Sequence, residues 1–270
     1  MAILTPFRAD GRIDFAALGD YLDLLNAAGV QTILANGTTA EFASLTGTER
    51  CALVEYCRSR WHGVLIAHIG STAIGDAAAL ARHAHAHADW LAAINPYFFA
   101  AAPEAGIEQY FAELLAISQL PTLLYNFPRH TQNPLNPDLV ARLAIRFPQL
   151  RGIKDSGKDL AVTRAWKTRC PDLQVFLSDD RLGAQVAQIG LDGVVTGAGG
   201  PVAETTGRHC RGHPRRRRRA SRTPAAMFRP LQRGPKVLPR HRHRVREIGS
   251  RGTHSRISLV YAAAAVSHHT

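Results

Sequence analysis

The sequence predicts an α/β fold, a TIM-type (β/α)8 barrel, and three observations predict it. Short apolar strands alternate with amphipathic helices, eight strands and seven helices, from residue 2 to residue 196. Strict alternation of that kind builds a parallel sheet. Eight strands within about 200 residues favour a closed ring over an open sheet. Polar residues of chemical interest fall where the strands end, at Thr5, Thr38, Thr39, Tyr97, Tyr125, Lys154, Asp179 and Thr196. In a barrel these exits share one rim, although they lie far apart in the chain.

The elements follow in order. Ala2 to Thr5 is a clipped apolar strand stopped by Pro6. Asp14 to Ala28 has Phe15, Leu18, Leu22 and Leu25 at helical spacing, with Asp14 as N-cap and Gly29 just past the end. Val30 to Ala35 is a strand leaving through Asn36 to Glu41. A helix runs from about Thr48 to Arg60, capped by Thr46 or Thr48. Val64 to Ile69 is a strand, and Ile74 to His87 an alanine-rich helix. Trp90 to Asn95 and Pro121 to Asn126 are strands, with a helix from Glu104 to Ser118 between them. Phe127 to Thr131 reads as an exit loop, and Pro137 to Phe147 as a helix started by proline. A strand then ends in Lys154, followed by a helix from Leu160 to Cys170, a strand from Gln174 to Ser178, a helix from Asp180 to Gly190 and a last strand from Gly193 to Thr196.

Composition narrows the function classes. The chain has 270 residues and a formal net charge of +12. The excess is local: residues 201–270 hold 17 Lys and Arg against two acids, whereas residues 1–200 hold 16 against 19. The first 200 residues therefore read as a slightly acidic enzyme, and the overall charge is no address for nucleic acid. Cys51, Cys57, Cys170 and Cys210 show no metal-type pairing and fit reduced thiols in a cytoplasm. No secretory leader is visible, and no apolar run approaches the roughly 20 residues of a membrane span.

Lys154 carries the chemistry. A lysine at the mouth of a buried strand has its ammonium form disfavoured, and a neutral amine attacks carbonyl carbon. The same residue also reads as a solvated strand end, the commoner state of lysine. Tyr125 likewise reads as a packed aromatic, and Gly37-Thr38-Thr39 as a turn with a helix cap. The three are weighed together because Gly37-Thr38-Thr39-Ala40-Glu41, Tyr125-Asn126-Phe127-Pro128 and Gly152-Ile153-Lys154-Asp155-Ser156 occur in that order, each at a strand exit.

Taken together, the three motifs resemble the dihydrodipicolinate synthase and N-acetylneuraminate lyase family of pyruvate-dependent class I aldolases, over residues 2–203. The resemblance implies that Lys154 forms a Schiff base with C2 of pyruvate or another 2-oxo acid, and that Tyr125 shuttles protons. It implies that Thr38 and Thr39 hold the 2-oxo acid's carboxylate and that the backbone at Val195 lines the same pocket. It further implies a homotetramer, a small 2-oxo acid and an aldehyde as substrates, and neither metal nor organic cofactor. No membrane or nucleic-acid partner is expected.

The chain departs from the family pattern at three places. Ala40 stands where the loop usually has glycine, which costs about 1 kcal/mol if that position needs a positive φ. Phe98 replaces a second, proton-relaying tyrosine of the synthases. His130 stands about where the synthases place an arginine that grips the aldehyde substrate's carboxylate, with Arg129 one residue earlier as a candidate substitute. A 2-keto-3-deoxy sugar acid, or a related 2-oxo acid, is therefore a better expected substrate than the pyruvate and aspartate-semialdehyde pair of lysine biosynthesis. Only His83 with His87 can share a helix face, a third metal ligand is missing, and no metal site is expected there.

The barrel is expected to span residues 1–203 and to lack its last helix and the C-terminal helical region. From 204 to 270 the composition turns to Arg, His, Pro, Gly, Ser and Thr, with Arg215 to Arg219 in a row. One reading is a basic, low-order extension that contacts phosphates. The preferred one is an out-of-frame stretch of a GC-rich gene, attached to a barrel of uncertain activity and marginal stability.

Overall fold

The computed structural model describes residues 1–197, so the readings of the tail from 204 onward, and of its out-of-frame origin, lie outside the described residues. Seven parallel strands form one sheet in sequential order: β1 Thr32–Ala35, β2 Val64–His68, β3 Trp90–Ile94, β4 Thr122–Asn126, β5 Leu150–Asp155, β6 Gln174–Leu177 and β7 Gly193–Val194. The expected first strand is reduced to a single bridge between Ala2 and Leu34. Its hydrogen bonds nevertheless reach both neighbours. Ile3 N donates to Leu34 O at 3.1 Å, and Ala2 N donates to Thr196 O at 2.9 Å. The second bond joins the start of the described chain to its end and closes the ring, as expected for a TIM-type barrel.

The helices are α1 Phe15–Ala27, α2 Gly47–Arg60, α3 Ile74–Ala84, α4 Glu104–Ile117, α5 Pro128–Thr131, α6 Pro137–Arg146 and α7 Leu160–Arg169. Their starts are chemically marked. Asp14 accepts from Ala17 N, Thr46 and Glu49 form a reciprocal capping box, Asn136 caps the proline-led α6, and Asp159 caps α7. Three details differ from the sequence reading. Pro128, with φ preset, nucleates the short α5 inside what read as a loop. The alanine-rich helix stops at Ala84, and His85 to His87 form a turn. The stretch from Asp180 is a 3-10 helix to Gln185 rather than an α-helix to Gly190; Gly183 and the β-branched Val186 both weaken α-helical propensity there. Among the described residues, no helix is long and apolar enough to cross a membrane.

The strands are buried on both faces, which is why they read as continuous apolar runs. Successive side chains point to opposite faces. Ile33, Ala35, Leu65, Ala67, Leu91, Ala93, Leu124, Ile153, Val175 and Leu177 belong to the large core shared with the helices. The alternate positions Leu34, Ile66, Ala92, Leu123, Phe176 and Val195, with Ala2, pack together inside the ring. Gly152 takes the corresponding inward place on β5, where an added Cβ would run into the carbonyl oxygen of Gln174 on β6. That obstacle is backbone and cannot swing aside. Gly152→Ala should therefore cost about 1–3 kcal/mol of stability by forcing β5 and β6 apart. Denaturant melts of the full chain check this, and an unchanged midpoint would refute it.

Candidate active site

The inward positions continue one layer beyond the apolar ring plug. Two residues after Ile66, Ala92, Leu123 and Gly152 come His68, Ile94, Tyr125 and Lys154. The period of two therefore delivers four side chains to one end of the barrel, at the exits of the strands, whereas Asn36, just past β1 with φ at 57°, turns its side chain to the Arg50 carbonyl on α2. Pairing sets their heights: Tyr125 is the register partner of Lys154 on β5 and of Ile94 on β3.

Lys154 is 4% exposed, so it is not a solvated strand end. Its Nζ lies 3.4 Å from the centroid of the Tyr125 ring and donates to Ser156 Oγ at 3.2 Å. The Tyr125 hydroxyl sits 3.0 Å from Thr38 Oγ1. Three of the six residues singled out from sequence thus form one chain of contacts: amine, phenol, threonine. Thr39 lies beside it, and its Oγ1 would be 3.0 Å from a Cβ built on Gly197. Val195 buries its side chain inside the ring and donates its amide to Leu177 O at 2.7 Å. His130, on α5, packs edge-on against Phe127 at 4.2 Å, and Phe127 stacks on Tyr125 at 5.8 Å. Partial burial, with Arg129 adjacent, lowers the His130 pKa.

Other residues at the rim behave differently. Thr5 Oγ1 donates to Ala40 O at 2.9 Å and ties the first strand to the threonine turn. Asp179 caps the 3-10 helix and pairs with Arg181. Ala40 is buried in a 3-10 turn without positive φ; the left-handed residue of that loop is Glu41, at φ 57°. The alanine therefore carries no backbone penalty of the kind expected. Phe98 is 86% exposed, with φ at 79°, and stacks edge-on with Phe99 at the surface.

Sequence reasoning assigned no role to the residues that hold the site in place. Asp155, 2% exposed, accepts from Asn126 Nδ2 and Gly157 N, both at 2.8 Å, and from Thr163 Oγ1 at 2.6 Å. It fixes the chain just after Lys154 and just after Tyr125, and anchors α7. Two of these residues lie inside the quoted motifs, so the signal was present, but spacing alone does not say that they bond to each other.

The second group is Asn36, Arg50 and His68. Arg50, from α2, is 4% exposed and donates to Gly70 O at 2.9 Å and His68 O at 2.7 Å. Burial lowers its pKa to about 10, which leaves it charged at neutral pH. Its guanidinium lies 5.2 Å from the Phe42 ring. His68 Nδ1 meets Asn36 O at 2.8 Å, and His68 Nε2 accepts from Ile94 N at 3.3 Å, an arrangement that assigns the proton to Nδ1. Burial above all, then the nearby Arg50 cation, holds the His68 pKa well below its usual value. A neutral imidazole and a buried cation thus sit behind the aromatic wall of Phe42, Tyr97, Tyr125 and Phe127.

The sequence matches the model of the Dihydrodipicolinate synthetase family over residues 1–210. It is 33% identical over 199 residues to the 4-hydroxy-tetrahydrodipicolinate synthase of Bacillus subtilis, covering 72% of this chain and 68% of that protein. It is 33% identical over 202 residues to a probable 2-dehydro-3-deoxy-D-pentonate aldolase of Escherichia coli, covering 72% and 66%. Among solved structures, the fold is similar to YagE, a prophage protein of the dihydrodipicolinic acid synthase family from E. coli K12 in complex with pyruvate. There the TM-score is 0.72 and the identity 29%, over 77% of this chain and 72% of that one.

The neutral His68 has a pH signature. Above about pH 6.5 it is neutral both folded and unfolded and contributes no slope. As the pH falls through that value, the unfolded chain takes up a proton that the folded protein does not. Stability should then drop by about 1.4 kcal/mol per pH unit from this group. Urea melts at pH 7.5 and 5.5 should show a shallower fall for His68→Gln than for the parent chain; equal falls would exclude His68 as the source.

Proposed function

Because the chain belongs to the dihydrodipicolinate synthetase family, we propose that it is a class I aldolase that makes or breaks a carbon–carbon bond through a Schiff base on Lys154. The observation that carries this reading is the buried amine against the Tyr125 ring, with the phenol in turn hydrogen-bonded to Thr38.

The chemistry follows from those contacts. The Lys154 amine, once unprotonated, attacks C2 of a 2-oxo acid, and loss of water gives an iminium. The iminium withdraws electrons from the C3–C4 bond. When that bond breaks, the pair is held as an enamine, and the released fragment leaves as an aldehyde. Condensation is the same path reversed. Three proton movements are needed: at the carbinolamine oxygen, at the C4 oxygen, and at C3, where protonation of the enamine restores an iminium that water hydrolyses to the 2-oxo acid and free Lys154. Tyr125 is assigned the first two, with Thr38 as the neighbour through which its proton moves. Thr38 and Thr39 supply neutral donors for the substrate carboxylate, and the buried Arg50 behind the wall adds a favourable field for an anion. Val195 is assigned to the pocket lining through its backbone, and His130 to the acceptor side through its contact with Phe127.

A 2-keto-3-deoxy sugar acid is the preferred substrate class. Two residues favour it. Phe98 has no hydroxyl and lies at the surface, so it relays no proton. His130 offers one or two ring donors where a dicarboxylate-forming enzyme would want a guanidinium fork. The identity to the B. subtilis synthase supports a second reading, condensation of pyruvate with aspartate semialdehyde. A cytoplasmic homotetramer fits either reading.

Incubation with pyruvate and borohydride should leave a carboxyethyl group on Lys154, read by peptide mass, and none on the Lys154→Ala chain. An unlabelled Lys154 in a folded protein would remove the Schiff base from the proposal. Tyr125→Phe should retain the adduct but lose about 10²- to 10⁴-fold in turnover. Assay against 2-keto-3-deoxy acids and against aspartate semialdehyde with pyruvate separates the two substrate readings.

A further inference from the structure

The local sequence around His83 and His87 lacks a third ligand, but the fold supplies one. Glu55, on α2, brings Oε1 to 2.7 Å from His83 Nε2. The His83 and His87 rings lie 4.7 Å apart between centroids, tilted by 31°. One donor atom from each of Glu55, His83 and His87 lies within 4.8 Å of the other two. We propose that this triad is a divalent transition-metal site of the zinc type, formed by two imidazoles and one carboxylate, which clips α2 to the end of α3 on the outside of the barrel.

The donor set fits that class. Two nitrogens and a carboxylate oxygen suit zinc and its first-row neighbours, and leave a fourth position for water. With metal–ligand bonds of about 2.1 Å, tetrahedral donors stand about 3.4 Å apart. To reach that spacing the His83–Glu55 pair opens from 2.7 Å, while every separation in the triad already lies within 4.8 Å. His83 and His87 are half-buried and Glu55 is exposed, so an ion has access from solvent while two ligands are held by packing. His83 falls in the last turn of α3 and His87 just beyond it, where the helix's unpaired carbonyls favour positive charge. The ion would take the His83 nitrogen that now faces Glu55, and a proton held there passes to solvent.

The site is separate from Lys154. His85, between the two ligands, is turned elsewhere, and its Nε2 accepts from Gln119 N at 3.2 Å. The bound ion would cross-link the two helices that flank β2, the strand that delivers His68 to the site.

The test is a zinc titration of the full chain against a chromophoric chelator, with cobalt(II) absorption as a second readout. Seven histidines beyond residue 197 provide other nitrogens, so the count is taken as a difference. His83→Gln and Glu55→Gln should each bind one equivalent less than the parent chain, while His85→Gln binds the same number. Saturating zinc should raise the melting temperature of the parent and of His85→Gln more than that of the other two. The same stoichiometry and the same thermal shift in all four chains would overturn the proposal, leaving Glu55 and His83 as an ion pair only.

Discussion

Side-chain alternation in a closed ring of strands is the constraint from which the rest follows. Leu123 fills the interior, so Tyr125 must point inward one layer higher; Gly152 leaves room, so Lys154 must do the same on the next strand. Their register makes the two side chains level, and the amine therefore meets the face of the phenol ring. Slipping either strand by one residue would turn its side chain out against the helices. Each neighbouring carbonyl and methyl that fixes the β4–β5 register is in this sense part of the candidate site.

That register needs support at the rim, where the ladder ends. Asp155 provides it by accepting three hydrogen bonds from three different segments. A buried carboxylate is tolerated only with its lone pairs occupied, and here they tie β4, β5 and α7 together. Arg50 does comparable work on the other side of the ring, where its donors satisfy carbonyls at the end of β2. The candidate layer is thus bracketed by one buried acidic and one buried basic side chain: Arg50 is anchored to backbone carbonyls, and Asp155 to one backbone amide and two side chains.

Much of the architecture was legible in the sequence because both of its periods are strong. Apolar strands of four to six residues, helices with capping side chains, and three motifs at strand exits were sufficient to place Lys154, Tyr125 and Thr38 on one rim. The misreadings have local causes. Pro128 starts a helix as readily as it marks a loop, and the 3-10 stretch after Asp180 carries the apolar pattern of an α-helix without its propensity. Glu55 as a partner for His83 was invisible because the two are 28 residues apart and meet only through α2–α3 packing. The same holds for the Asn126–Asp155 and Arg50–His68 contacts: a motif names residues, and the fold decides which of them touch.

The ring is joined at its weakest place by the shortest elements. One amide, Ala2 N, bridges to Thr196 O, and the next residue, Gly197, lies close enough to Thr39 that an added Cβ would meet its hydroxyl. Thr5 grips the same turn from the other side through Ala40 O. The threonine turn therefore acts as a keystone over the seam. On the proposed function, a carboxylate held by Thr38 and Thr39 would load the same turn that Thr5 ties to the first strand, so that holding a ligand and holding the circle shut would become a single mechanical act.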